Sequence, residues 1–251
     1  MAGKYRYIIK FLVLKNLQVK YKQTALGFLW SLLHPALYLL IFVAIFSSAF
    51  QSIPNYPLYV LSGLVFWIYF AEAVNRLSQV FIKNTHMIKC LGIPKITYAI
   101  TELGSELLSF LLGLIPFLVI MFFIGLDFSA NLLFLIPFII LFSVFIFSVG
   151  TFLGSFNVFF RDVGLLWFTL NPAIFYLSPI AYSYEIVPDK FKYLVMYNPL
   201  YYFLEIIRDI LYYGQTPGFR IWLYCIIITV ITGLLAYLTY SKTKNSFISN
   251  L

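Results

Sequence analysis

Charge is what this 251-residue sequence has least of: charged residues make up 10% of it, with nine acids against 17 Lys and Arg. Hydrophobic residues make up 62% and mean hydropathy is +0.93. A soluble domain of this length does not have that composition, so the bilayer sets the structural unit. The two cysteines, Cys90 and Cys225, are far apart and give neither a metal spacing nor a disulfide framework. The two histidines, His34 and His86, have no carboxylate at ligand spacing, and H-E-x-x-H is absent, so no metal site is expected. G-x-x-x-x-G-K-[ST] is missing, which excludes a P-loop cradle for nucleotide phosphates. No serine sits in a G-x-S-x-G elbow, and no catalytic residue is expected. If the protein does work, another chain must supply the energy. The net charge of +8 suggests basic cytoplasmic loops before it suggests nucleic acid, for which no motif is present. The N-terminus is basic, but the apolar run 8–14 is short and lacks a small-residue cleavage site, so it is not read as a signal peptide.

What is present is apolar sequence in bilayer-sized pieces. Residues 2–22 mix six basic residues with Ile8, Ile9, Phe11, Leu12, Val13, Leu14 and Leu17. They read as a helix too charged to span, lying in the membrane interface. Lys4, Lys15 and Lys22 form one stripe; Arg6, Lys10 and Lys20 fall nearly opposite, so amphipathicity is weak. The two stripes suit contact with both headgroups and a partner protein, and a basic topogenic tail explains them equally well. Six spans follow, at about 29–50, 57–80, 98–125, 132–156, 164–182 and 219–240, each near the ~20 apolar residues a bilayer needs. Of the 17 basic residues, all but Lys190, Lys192, Arg208 and Arg220 then fall on one side. The positive-inside rule puts both termini in the cytoplasm and the 183–218 stretch outside.

Three connecting regions carry the functional signals. Between the second and third spans, Asn84 or Thr85 could cap a short helix that Gly92 and Pro94 end. It would expose Met87, Ile88 and Leu91, and an exposed apolar face usually marks a docking surface. Glu102 and Glu106 follow, four apart at the start of the third span; they read as satisfied interfacial acids rather than a proton relay, since no intramembrane His or Lys partner is evident. Residues 183–218 are too aromatic for a solvated loop and too often broken, by Pro188, Pro199, Gly214 and Pro217, for a span. Broken helices at membrane depth persist only where protein packs them or they line a cavity. The stretch therefore reads as a re-entrant pair of short helices guarding a pathway, or else as an outer loop lying on headgroups. Its charged positions Glu185, Asp189, Lys190, Lys192, Glu205, Arg208 and Asp209 alternate with aromatic clusters, as for helices with one wet face.

Together these motifs resemble one family. Tyr21-Lys22-Gln23-Thr24-Ala25-Leu26-Gly27-Phe28-Leu29-Trp30, followed by His34-Pro35, is similar to the opening of type-2 ABC exporter permeases, nearest the polysaccharide exporters of O-antigen, capsule or teichoic acid. Asn84, Lys89 and Pro94 resemble that family's coupling helix. Arg161-Asp162, Ser178-Pro179-Ile180 and Tyr197-Asn198-Pro199-Leu200 with Arg208 resemble its R-D, S-P-I and N-P-L…R signatures. The chain departs from the pattern at Cys90-Leu91-Gly92-Ile93, where a basic and aromatic run is common.

The resemblance implies an all-α integral membrane fold: one transmembrane domain, 1–251, with six transmembrane helices, an N-terminal amphipathic interface helix and re-entrant outer gate helices. It implies a permease pairing with a second copy in the bacterial cytoplasmic (inner) membrane, each copy on an ATP-binding cassette subunit. That partner subunit binds ATP and Mg, and the chain itself takes no cofactor. The substrate would be a lipid-linked glycan. Asn84, Met87, Ile88, Lys89, Pro94, Arg161 and Asp162 would couple to the ATPase. Aromatics suit transient contact with sugar faces, an apolar body with a polar tip. Candidate channel residues are Tyr38, Phe42, Tyr59, Trp67, Tyr69, Trp167, Phe168, Phe175 and Tyr176, each of which could equally face lipid or pack between helices. Tyr197, Asn198, Pro199, Tyr201, Phe203 and Arg208 would form the outer gate. An ABC permease for drugs or lipids is the alternative. An integral membrane acyl or glycosyl transferase is a further one, opposed by the lack of intramembrane His, Asp or Glu clusters.

Overall fold

The computed structural model describes residues 2–22, 27, 29–90, 92–125, 129–244 and 247. Among them the chain is helical and has no strand, as lipid requires when every backbone polar group must be satisfied within its own segment. Helix α1 (Ala2–Tyr21) precedes α2 (Leu29–Phe46) and α3 (Tyr56–Ser78). Two short helices, α4 (Val80–Lys83) and α5 (Thr85–Cys90), lead to α6 (Ile96–Ile124). A 3-10 turn, Ala130–Phe134, runs into α7 (Leu135–Asn157), and α8 (Asp162–Leu177) follows. Then come α9 (Asp189–Met196), α10 (Pro199–Leu211) and the long α11 (Phe219–Thr243).

Among the described residues, four helical stretches are long and apolar enough to cross a membrane: Tyr56–Ser78, Ile96–Ile124, Ala130–Asn157 and Phe219–Thr243. The expected first and fifth spans are shorter than the sequence suggested. Helix covers Leu29–Phe46 in one and Asp162–Leu177 in the other. At about 1.5 Å per residue, 16 residues rise only about 24 Å, short of a ~30 Å hydrocarbon core. Proline sets the limit at the end of α8: Pro179 holds Ser178 extended, at φ −86 and ψ 130, so the helix stops well before residue 182.

α3 is the central post, buried on nearly every face. Its apolar side chains meet α6 and α7 in an aromatic layer where Phe66 packs on Phe138 and Phe110, each at 5.3 Å, and Phe70 stacks on Phe145 at 6.0 Å. Small residues allow the close approach. A Cβ on Gly150 would overlap Leu77, and one on Gly154 would fall 2.6 Å from the Leu77 carbonyl. Where lipid is as apolar as the core, such van der Waals packing holds helices together. α11 lies along α7, and α1 lies along α6 with Val13 buried there.

Candidate functional site

One end of the bundle carries the expected coupling segment. Neither Asn84 nor Thr85 caps α5. Asn84 Nδ2 donates to the Val80 carbonyl at 2.8 Å and Thr85 Oγ1 to the Ile82 carbonyl at 2.6 Å, so both bond back into the preceding turn. The apolar face also turns inward. Ile88 is 5% exposed and belongs to the main core, and Met87 is half-buried against it. The surface of α5 is instead His86, Lys89 and Cys90, because the apolar side chains gain more by joining the core than by facing water. Leu91 lies outside the described residues, as do residues 23–26 and 28 of the opening motif. Pro94 is exposed, and its carbonyl accepts from Thr97 N at 2.9 Å to begin α6. Lys95 donates to the Lys244 carbonyl and lies over the Phe247 ring, tying α6 to the C-terminal segment.

Arg161 and Asp162 are both exposed beside this end. Asn157 fixes their loop: its Oδ1 accepts from Gly164 N at 3.0 Å, and its Nδ2 donates to the Ser78 carbonyl at 2.8 Å. The end of α7, the start of α8 and the end of α3 are thereby joined through one buried amide. Nothing in the sequence pattern had marked Asn157.

A charge cluster lies between α1, α3 and α6. Lys20 Nζ is 3.0 Å from both Glu72 and Glu106. Arg76 reaches Glu106 at 2.8 Å and Glu102 at 3.6 Å, and Asn16 donates to Glu102 at 3.2 Å. The two acids of α6 therefore have cationic partners after all, brought from 86 residues away by α1 and from α3. Burial alone would lower the Lys20 pKa, but the carboxylates of Glu106 and Glu72 outweigh it and hold the ammonium above the usual lysine range. Lys20 thus leaves its expected surface stripe and works inside the protein, while Arg6, Lys10, Lys15 and Lys22 remain exposed.

The candidate channel aromatics divide by burial. Phe42, Tyr59, Trp67, Tyr69 and Trp167 are each 9% exposed or less within a single copy. They pack helices together: Trp67 meets Phe175 at 5.3 Å, Trp167 meets Phe70 at 5.9 Å, and the Tyr69 hydroxyl pairs with Ser143 at 2.9 Å. Within one copy these five therefore pack between the copy's own helices, the alternative left open for each of them beside a channel wall. Tyr38, Phe168 and Tyr176 remain exposed, and Phe175 is half-buried.

The opposite end is built on a hairpin of α9 and α10, within residues 183–218. Pro199 is the first residue of α10, where its missing N–H costs nothing. Asn198 caps the helix: its Oδ1 accepts from Leu200 N at 3.1 Å, and its Nδ2 donates to Ser178 Oγ at 2.8 Å. The S-P-I and N-P-L motifs thus touch. α10 buries Leu204, which would come within 3.3 Å of a Cβ on Gly63, and Phe203, whose ring is 4.8 Å from Phe145 and 5.1 Å from Phe142. Arg208 lies on this buried face, which corrects its expected place on the wet one. Its Nη2 donates to the carbonyls of Pro179 and Ile180, and its guanidinium lies 3.9 Å from the Tyr59 ring centroid. Tyr56 donates to the Ala181 carbonyl at 3.0 Å and Tyr59 to that of Tyr182 at 2.9 Å. Four consecutive carbonyls, 179 to 182, are therefore held by three side chains of α3 and α10. Of the expected gate residues, Phe203 and Arg208 are anchors, Tyr201 is half-buried with its ring 5.4 Å from Tyr184, and Tyr197 is 84% exposed.

α9 differs from α10: among its residues only Val195 is buried. On its surface Lys192 and Asp189 pair at 2.7 Å. The hydrogen bond from Lys192 holds the Asp189 carboxyl below its usual range, and Asp189 raises the Lys192 ammonium in return. Among the described residues no three His, Cys, Asp or Glu side chains gather where they could hold a metal.

Comparison with known proteins gives this arrangement a family. An O-antigen export system permease protein RfbA of Klebsiella pneumoniae is 32% identical over 213 residues, covering 83% of this chain and 82% of that protein. A protein of the same name from Myxococcus xanthus is 26% identical over 217 residues, 85% of this chain and 83% of its own length. The polysialic acid transport protein KpsM of Escherichia coli is 22% identical over 215 residues, 84% of this chain and 82% of its own. The sequence pattern of the ABC-2 type transporter matches residues 7–212, from within α1 to just past α10, and this multi-pass membrane protein belongs to that family.

Proposed function

We propose that the chain is the permease subunit of an ATP-driven exporter that moves a lipid-linked polysaccharide across the bacterial cytoplasmic membrane. One observation carries the reading: relatives named for O-antigen and for polysialic acid align with it over more than four fifths of its length. Two such different glycans point to a shared task of moving a hydrophilic chain. In the proposed arrangement α2 and α8 complete six spans, their shortness met by local thinning of the bilayer. Both termini lie in the cytoplasm. Two copies pair, and each meets an ATP-binding subunit that holds ATP and Mg. The exposed Lys89, Arg161 and Asp162, with Met87 at the edge of α5, form the contact. The exposed Tyr38, Phe168 and Tyr176 offer weak sliding contacts to sugar, as conduction requires.

At the outer end the hairpin serves as gate. Its re-entrant course is supported by Phe203, which packs against Phe142 and Phe145 near the middle of α7 rather than at its end. Deleting the gene in its own host tests the function. The undecorated cell surface and a cytoplasmic pool of lipid-linked glycan are the expected result, both restored by the intact gene. Normal surface glycan after deletion, in a strain with no second copy, rules the reading out.

A further inference from the structure

We infer that a groove between α2, α3 and α6 binds one phospholipid with an ammonium headgroup, of the phosphatidylethanolamine type. The groove holds about 350 Å³. It follows the helices rather than crossing them: on α6 it runs from Glu106 to Phe117, a rise of about 16 Å. Its polarity changes along that length. Lys20, Glu72 and Glu106 line one end, while Val65, Phe110 and Phe117 line the remainder. A charged end and a tall apolar shaft parallel to spanning helices match one lipid tail and its headgroup. The groove also opens outward, since Trp30 and Leu37 on its α2 wall are 51% and 52% exposed. Trp at that level is the residue expected beside headgroups.

The charges select the headgroup. Glu106, 4% exposed, is already engaged by Lys20 and Arg76. Lys20, 19% exposed, is held by both Glu72 and Glu106 among the described residues. Glu72, 41% exposed, gives Oε2 to Lys20 at 3.0 Å, and its Oε1 is the atom a lipid can reach. A carboxylate accepts hydrogen bonds and offers none, so it favours an ammonium and repels an anionic phosphatidylglycerol or pyrophosphate headgroup. This separates the groove from the path of an anionic lipid-linked substrate. The leaflet concerned, the cytoplasmic one, follows from the topology proposed above; the headgroup preference does not depend on it.

The test uses the permease purified with its ATPase in nanodiscs of equal phosphatidylethanolamine and phosphatidylglycerol, with lipids retained after detergent washing counted by native mass spectrometry. One charge-assisted hydrogen bond predicts about tenfold enrichment of the ethanolamine lipid. Glu72→Gln should reduce that to about threefold or less, whereas Asp189→Asn, at the other end of the bundle, should leave it unchanged. A phosphatidylethanolamine with a photoreactive acyl chain should cross-link to peptides covering 65–72 and 109–117 in the unaltered protein, which decides the matter even if Glu72→Gln misfolds. Equal retention of both lipids, preference for phosphatidylglycerol, undiminished preference in Glu72→Gln, or no cross-link to either segment, as when a second copy fills the groove, overturns the inference. None of these readouts involves glycan transport, so they fail separately from the proposed function.

Discussion

Replacing Arg208 with Met tests how the hairpin of α9 and α10 is held. The side chain is 5% exposed, donates to two carbonyls and stacks on Tyr59. Hydrogen bonds from a charged group contribute about 1.5–3 kcal/mol each, and a desolvated cation–π contact about 2 kcal/mol. Against this stands the desolvation of a buried guanidinium, which costs several kcal/mol, and its Nε has no hydrogen-bond partner among the described residues. Met fills similar space without that penalty but leaves the carbonyls of Pro179 and Ile180 unpaired, at about 1–3 kcal/mol each. The net loss is about 2–4 kcal/mol, concentrated where α10 meets residues 178–182. Hydrogen–deuterium exchange in nanodiscs should therefore show peptides covering 178–182 and 199–211 opening roughly thirty- to a thousandfold more often, with α6 and α11 unchanged. Arg208→Lys keeps the charge without the planar stack and should fall between. Wild-type protection of both peptides in Arg208→Met would refute the pin.

Three further outcomes follow from the same structure. Lys20→Met should lower stability by about 1–2 kcal/mol. The folded-state Lys20 pKa is raised, so its contribution is complete below the unfolded value of roughly 10.4 and is lost only as pH rises through the higher folded value; the cost measured by thermal unfolding should be constant from about pH 6 to 9, and a cost that vanishes within that window contradicts the assignment. Ile88→Asp should prevent stable folding, because it buries a carboxylate in the main core, whereas Met87→Asp should fold and lose co-purification with the ATPase; equal behaviour of the two in a melting and pull-down series would contradict the inward turn of α5. In a background lacking Cys90 and Cys225, a membrane-impermeant thiol reagent should label a cysteine at Tyr197 readily and one at Phe203 hardly at all, and full labelling at both would mean α10 is not packed.

The helices were largely legible in sequence because hydropathy and proline report on them directly. Pro188, Pro199 and Gly214 do bound α9 and α10, Gly214 at φ +62, as their backbone chemistry suggests. The partners were not legible. Lys20 meets Glu106 across 86 residues, a contact that no local spacing encodes. The aromatic faces could not be assigned for a physical reason: in a membrane protein both the lipid side and the core side are apolar, so periodicity cannot separate Trp167, buried, from Phe168, exposed. Arg208 misled similarly, since a lone arginine among aromatics reads as a wet face until the carbonyls of a proline-broken turn are seen to need it.

Transport itself is the most direct measurement. The permease and its ATPase, reconstituted in proteoliposomes with a lipid-linked glycan from the host on the ATPase side, should move that glycan to the opposite side, where a membrane-impermeant glycosidase cleaves it. The account predicts cleavage that requires ATP and this chain. Glycan that stays protected while the complex hydrolyses ATP at full rate, or that crosses equally without ATP, would contradict it.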